Sequence, residues 1–247
     1  MVHVATLVHD DVLDEADERR YSESINSRWN NTTSILTGDF LFAKAFEVGC
    51  MSGSVEVMRQ IAVASCNVCK GELSQNALAG DFEIGQQKYY EIISLKTAEL
   101  CRCACALGAL LSECDEASIR NFEAYGLDLG IAFQVIDDVL DIVGEKDEVG
   151  KTLGTDLKNQ KCTLPILHCL KVLPAERSGP WVEKLTGDDW ELDEVVDLLN
   201  STGSIEYARQ AARNRAGHAL EFAKSLSKSA YSDSLVTMAE FVIDRTY

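Results

Sequence analysis

An all-α fold is predicted by three features of the sequence. Apolar residues recur at helical spacing over most of the chain, period-2 alternation is weak throughout, and all three prolines (Pro165, Pro174, Pro180) fall in one short window. Residues 1–164 contain no proline, so nothing in them forbids long helices. With 247 residues, 46% of them hydrophobic, one domain spanning 1–247 has enough apolar material for a sizeable core.

Taken in order, an apolar run from Val4 to Val8 opens the chain, and a helix is predicted over 54–78 from Val55, Met58, Ile61, Ala62, Cys66 and Cys69. Ala79-Gly80-Asp81 and Gly85 mark a break. Ile92, Leu95, Leu100, Cys103 and Leu107 predict a helix over 88–112. The stretch 117–143, apolar around Ala124, Leu127, Ile131, Val135 and Ile142, reads as a central helix buried on most sides. From Gly144 to Gln160 the chain is polar, charged and glycine-containing, which predicts a mobile loop. Residues 174–190 read as a connector. After Gly203, a helix is carried by Ile205, Ala208, Ala212, Ala216, Ala219 and Phe222, and a last amphipathic helix covers about 232–246.

Forty acidic against 23 basic residues give a net charge of −17, which argues against nucleic acid and against docking on anionic lipid. No apolar run reaches the roughly 18 residues of a transmembrane helix. Met1 to His9 lack the basic segment and cleavage site of a signal peptide. Nine cysteines include the pair Cys66 and Cys69 and the alternating Cys101, Cys103 and Cys105. Only four histidines exist and none follows at metal spacing, so the cysteines read as buried thiols acting as small hydrophobes rather than as a zinc site. The odd count in a chain this large predicts a reducing, cytoplasmic setting.

One pentapeptide occurs twice: Asp10-Asp11-Val12-Leu13-Asp14 and Asp137-Asp138-Val139-Leu140-Asp141. On a helix, i and i+4 share a face, so Asp10 lies above Asp14 and Asp137 above Asp141. Like charges at that spacing cost roughly 0.2–0.5 kcal/mol per pair in water and more when desolvated. Each motif follows an apolar run, Val4 to Val8 and Ile131 to Ile136, so clustered carboxylates sit beside a core and call for a cation. Hard oxygen donors without thiolate or imidazole point to Mg²⁺, Mn²⁺ or Ca²⁺, and no EF-hand loop is present. Mg²⁺ is commonly held by one or two carboxylates plus substrate phosphates, so two facing triplets would hold a diphosphate between them. Arg19 and Arg20 follow the first triplet, Lys96-Thr97 lies mid-helix among apolar residues, and Lys151 and Lys161 bracket the polar loop, where phosphate oxygens would find partners.

These residues together resemble the trans-isoprenyl (polyprenyl) diphosphate synthases. The resemblance is carried by His9-Asp10-Asp11-Val12-Leu13-Asp14 with Arg19-Arg20, Leu36-Thr37-Gly38-Asp39-Phe40-Leu41, Gly71-Glu72-Leu73-Ser74-Gln75 and Lys96-Thr97-Ala98. It continues through Phe133-Gln134-Val135-Ile136-Asp137-Asp138, Gly150-Lys151, Gly154-Thr155-Asp156-Leu157 and Lys161-Cys162-Thr163-Leu164-Pro165. It implies a single-domain multi-helix bundle of the isoprenoid synthase type and a homodimer. It also implies condensation of an allylic diphosphate with isopentenyl diphosphate by ionisation, coupling and proton loss. The metal ligands would be Asp10, Asp14 and Asp137, then Asp11, Asp138 and Asp141, around about three Mg²⁺ ions with Mn²⁺ as the alternative. Arg19, Arg20, Lys96, Lys151 and Lys161 would bind diphosphate, and Thr97 and Gln134 would place oxygen dipoles near the carbocation. Ala5 and Thr6 lie about one turn below Asp10, where family members that make short products carry bulky aromatics, so small residues there imply a product of about C25 or longer.

Departures from the family pattern are expected to matter. The family's upstream glycine–lysine–arginine motif, which binds isopentenyl diphosphate, has no place in the nine residues before Asp10, so the chain reads as N-terminally truncated relative to the family. Tyr21 and Gln160 stand where glycine is usual. The alternative function is a non-catalytic or regulatory subunit of a heteromeric synthase.

Overall fold

The computed structural model describes residues 1–19, 22–144, 153–187 and 189–245. Helix α1 (Val2–Leu13) leads into a small antiparallel hairpin of β1 (Glu18–Arg19) and β2 (Ser22–Glu23), with Arg19 opposite Ser22. The short α2 (Ile25–Arg28) is followed by α3 (Asn31–Cys50), α4 (Val55–Ala77) and α5 (Gln86–Ile93). A π-helical segment, Ser94–Ala98, joins α5 directly to α6 (Glu99–Leu111). Then come α7 (Glu116–Val143), α8 (Thr155–Lys158), α9 (Leu164–Val172), α10 (Ala175–Thr186), α11 (Leu192–Ser201), α12 (Ser204–Ser225) and α13 (Ala230–Asp244). Among the described residues, two strands of two residues each are the only departure from an all-α fold. None of the helices there is long and apolar enough to cross a membrane.

Polar residues start many of these helices where the chain needs acceptors for orphan N–H groups. Ser24, Asn30, Ser54 and Asp115 each accept from the backbone three residues on, and Ser229 forms a reciprocal capping box with Ser232. The centre of the molecule is α7, packed between α6 and α12. From Tyr125 to Ile142 most of its residues are buried, and the Tyr125 hydroxyl donates to the Leu235 carbonyl at 2.8 Å, tying α7 to α13. The alanine face predicted after Gly203 is the buried face of α12, with Ala208, Ala212, Ala216 and Ala219 all at 2% exposure or less.

The π segment is pinned from two sides by glycines. A methyl group at Gly71 of α4 would overlap the Lys96 backbone, and one at Gly130 of α7 would lie 2.5 Å from Ala98 Cα. Close approach of backbones is what glycine permits.

Some sequence expectations are corrected. The buried face of α4 is Val57, Ala64, Ser65, Val68 and Gly71, whereas Val55, Ala62, Cys66 and Cys69 are exposed. Small residues win that face because the π segment packs so closely on it. The cysteines accordingly divide: Cys103 and Cys169 are buried, while Cys50, Cys66 and Cys69 lie at the surface. The connector at 174–190 contains α10, which carries Pro180 inside it. Loss of one backbone hydrogen bond there is offset by buried Leu185 and the partly buried Trp181 and Val182. Residues 145–152 of the predicted mobile loop lie outside the described residues.

Candidate active site

Burial on α1 repeats at Ala5, Val8 and Asp11, so the helix turns Asp11 inward. The first acidic triplet is therefore split. Asp11, 4% exposed, pairs with Arg19 of the hairpin at 2.5 Å. Asp10 and Asp14 share the other face, and Asp14 Oδ1 accepts from Lys161 Nζ at 3.1 Å. No described residue gives the Asp10 carboxylate a hydrogen bond or ion pair. Burial pushes Asp10 up to about 6; Lys96 pulls it down, Glu72 and Asp14 add to the rise, and Arg19 opposes it. His9, just before the triplet, bonds the Ile35 carbonyl at 3.0 Å and lies flat over Gly38, fixing this end of α1 against α3.

The second triplet sits near the C-terminal end of α7, and each of its acids has a different neighbour. Asp137 Oδ1 is paired with the Arg245 guanidinium at 2.5 Å, and that guanidinium also lies 4.5 Å over the Phe133 ring. Asp138 is 3% exposed. Tyr89 donates to its Oδ2 at 2.7 Å and Gln134 donates to its Oδ1 at 2.8 Å. Burial pushes the Asp138 carboxyl up to about 8, Asp156 and Asp137 add to the rise, and the bonds from Tyr89 and Gln134 pull the other way. Asp141 Oδ2 accepts the Asp156 backbone N–H at 3.0 Å.

One lysine brings the two triplets together. Lys161 Nζ lies 3.1 Å from Asp14 and 3.4 Å from Asp156, whose own backbone is held by Asp141. Asn159 Nδ2 adds a contact to Asp14 at 3.4 Å. Asp14 and its lysine stand 147 residues apart in sequence, yet they meet in one charged cluster. Lys161 is raised above the usual lysine range: burial works against the charge, but Asp156 and Asp14 outweigh it.

The π segment brings a further lysine near Asp10. Lys96 Nζ reaches Glu72 at 2.6 Å and Gln75 at 2.8 Å on α4. Thr97 donates to Gln134 Oε1 at 2.7 Å. The sequence reads 88–112 as one continuous helix. The interruption falls on the Lys96-Thr97 pair, and π turns inside helices are frequent at functional sites.

Of the residues expected from sequence, Asp14, Asp141 and Lys161 are linked through Asp156, Asp10 is near enough to Lys96 and Asp14 to feel their charges, and Lys96, Thr97 and Gln134 follow along the π segment and α7. Asp137 pairs instead with Arg245, and Asp11 with Arg19. Arg20 and Lys151 lie outside the described residues. Ala5 is fully buried one turn below Asp10, and Thr6 is half-buried beside it. Glu72, Tyr89, Asp156 and Arg245 are additions from the structure. Glu72 and Asp156 stand in the motifs Gly71-Glu72 and Thr155-Asp156, a usable signal; Tyr89 and Arg245 carry none.

The donor chemistry fits a hard divalent cation: carboxylate oxygens, one of them without a partner, beside lysines that suit phosphate. Among the described residues no three acidic, thiol or imidazole groups already converge as a ready-made metal cage.

Comparison with known proteins places this architecture. The family described as Polyprenyl synthetase matches residues 1–199. An octaprenyl diphosphate synthase of Haemophilus influenzae is 33% identical over 248 residues, covering 100% of this chain and 75% of the relative. A decaprenyl diphosphate synthase structure from Rhodobacter capsulatus superposes with a TM-score of 0.92 at 31% identity, covering 100% of this chain and 77% of its own. A Caulobacter crescentus polyprenyl synthase, complexed with calcium and isoprenyl diphosphate, gives 0.92 at 32% identity, covering 100% and 76%. On the strength of a family match over most of its length and of relatives that align with all of it, this chain belongs to the polyprenyl synthetase family.

Proposed function

We propose that this chain is a trans-prenyltransferase that condenses an allylic diphosphate with isopentenyl diphosphate to give a long-chain polyprenyl diphosphate. The observation that carries the reading is the charged cluster in which Lys161 joins Asp14 of the first triplet to Asp156 and, through it, Asp141 of the second. Such a cluster suits a diphosphate held between carboxylate-bound cations and lysines.

Asp10, Asp14, Asp137 and Asp141 would hold the divalent ions, Mg²⁺ or Mn²⁺. When bound, they supply Lewis-acid stabilisation of the leaving oxygens. The calcium and isoprenyl diphosphate in the Caulobacter relative support this pairing of cation and substrate. Lys96 and Lys161, with Arg19, Arg20 and Lys151, grip the diphosphates. The allylic C–O bond breaks and its electron pair leaves with diphosphate. The π electrons of isopentenyl diphosphate then form the new C–C bond, and a proton is lost to the departing diphosphate. Thr97 and Gln134 turn oxygen dipoles toward the cation that forms, where fixed dipoles in a dry site are worth far more than in water.

A long product is supported by small Ala5 and Thr6 below Asp10 and by the octaprenyl and decaprenyl names of the relatives. We further infer a cytoplasmic homodimer, which the exposed apolar side chains Leu36 and Phe40 on α3 and Leu73 on α4 support.

The test is turnover by the purified chain. With Mg²⁺, farnesyl diphosphate and labelled isopentenyl diphosphate, extended allylic products of about C25 or longer and diphosphate release are expected, both abolished by chelator. A folded protein that binds both diphosphates yet forms no extended product would reject the reading.

A further inference from the structure

Both carboxylate oxygens of Asp138 are hydrogen-bonded to side chains. Its Oδ2 accepts from Tyr89 and its Oδ1 from Gln134, at 2.7 and 2.8 Å, and the side chain is almost fully buried. Turning it outward toward a metal would break these buried hydrogen bonds and leave the Tyr89 hydroxyl unpaired, which is costly in an interior. The same bonds decide how Gln134 is oriented. The Gln134 amide turns its NH₂ toward Asp138 Oδ1 and its oxygen toward Thr97, whose hydroxyl donates to it at 2.7 Å. The result is a directional chain, Tyr89 to Asp138 and Thr97 to Gln134 to Asp138, in which every bond fixes the sense of the next.

We propose that Tyr89 and Asp138 are positioning residues rather than metal ligands: Tyr89 anchors Asp138, Asp138 orients the Gln134 amide, and the oxygens of Gln134 and Thr97 are thereby presented to the reacting cation. The inference rests on the prenyl-transfer reading for its final clause only. Tyr89 lies on α5, Thr97 on the π segment and Gln134 with Asp138 on α7, so the network spans three elements. The substitution Asp138→Asn puts an NH₂ where an acceptor stood. With Tyr89 still donating to the remaining oxygen, that NH₂ faces Gln134, whose amide must invert and point its own N–H groups toward Thr97. Shape is kept and the dipole is reversed.

The first test does not need turnover. In ¹⁵N-labelled protein the Gln134 side-chain amide, assigned by its absence in Gln134→Met, should show protection from exchange that is lost in both Tyr89→Phe and Asp138→Asn. Unchanged exchange in both variants overturns the proposal whether or not the chain is active. The second test is kinetic. Both variants should lower kcat about tenfold or more while leaving both diphosphate KM values within about threefold. Mg²⁺ affinity, measured by calorimetry with a non-ionising thio-diphosphate analogue, should stay within about threefold in Asp138→Asn and fall by more in Asp137→Asn. In a Gln134→Met background, Tyr89→Phe should cost nothing further. A drop in Mg²⁺ affinity of Asp138→Asn equal to that of Asp137→Asn would make Asp138 a ligand and sink the idea. So would a Tyr89→Phe penalty of the same size in the Gln134→Met background. Absence of turnover in the unmodified chain alongside a broken exchange pattern in the variants would instead fault the prenyl-transfer reading.

Discussion

A carboxylate with no partner in a half-buried position is a stored demand for charge. Asp10 is in that state, its carboxyl raised by burial to about 6 from an ordinary value of 3.8. The sign of the consequence follows from linkage. The folded chain holds the Asp10 proton more tightly than the unfolded chain. The associated stability is therefore complete below about pH 4 and is lost as pH rises toward 6, a cost of about 3 kcal/mol at most. In chelator, Asp10→Asn and the unmodified chain should melt alike near pH 4, and the variant should melt higher by pH 7. Adding Mg²⁺ with a diphosphate should erase or reverse that advantage. A melting difference that does not change with pH would reject the assignment. At this scale the sequence is informative. The i, i+4 spacing puts Asp10 and Asp14 on one face, as found, and the inward turn of Asp11 follows from Ala5, Val8 and Asp11 at three-residue spacing. The partnership of Tyr89 with Asp138 is not legible, because 49 residues separate them and a lone tyrosine carries no pattern.

Among the elements, the helices with strong periodicity are readable and their junctions are not. The alanine face of α12 and the buried length of α7 are both legible from spacing. The face of α4 is misassigned because periodicity reports apolar residues, whereas a close backbone crossing selects small ones: Ala64, Ser65, Val68 and Gly71. The π turn is invisible for a related reason, since its cause lies on α4 and α7. Gly71→Ala tests that cause. Its methyl group would strike the Lys96 backbone, so the variant should lose about 1–3 kcal/mol in denaturant unfolding and lose prenyl-transfer activity through a displaced Lys96. Full stability and activity would show that the segment does not depend on this contact. The family glycine replaced by Gln160 also has a structural account. Gln160 adopts φ +52, a left-handed conformation that glycine takes without strain, and its side chain compensates by donating to the Thr186 carbonyl at 3.0 Å.

For the molecule as a whole, the two copies of one pentapeptide are the observation from which most of the rest can be read, and they are linked through Lys161 and Asp156. What sequence withholds is the means of joining them. Lys161 and Asp156 each stand in a motif of the sequence, but nothing in either motif says that the two side chains pair. The same scale governs product length, because a tail lengthening from the cleft must find room inside the bundle. Ala5, little more than one turn before Asp10, is wholly buried on the α1 face that also carries Val8 and Asp11. Ala5→Tyr should shorten the product by one or more isoprene units, read by chromatography of the dephosphorylated products. A melting curve would show that the protein remains folded despite an overpacking cost of about 1–3 kcal/mol. Unchanged length in a folded variant would mean the tail runs elsewhere.

The π turn between α5 and α6 has a consequence for how this part of the chain can change. It holds one residue more than an α turn would, so removing one of Ser94 to Ala98 and closing the gap as ordinary helix would leave α6 close to its present rotation about the axis. Arg102 would stay opposite Glu123 of α7, with which it is paired, while the side chains of the segment itself, Lys96 and Thr97 among them, would be re-aimed. A single-residue deletion here should therefore spare the bundle and strike the site, with the fold kept and the hold of Thr97 on Gln134 lost.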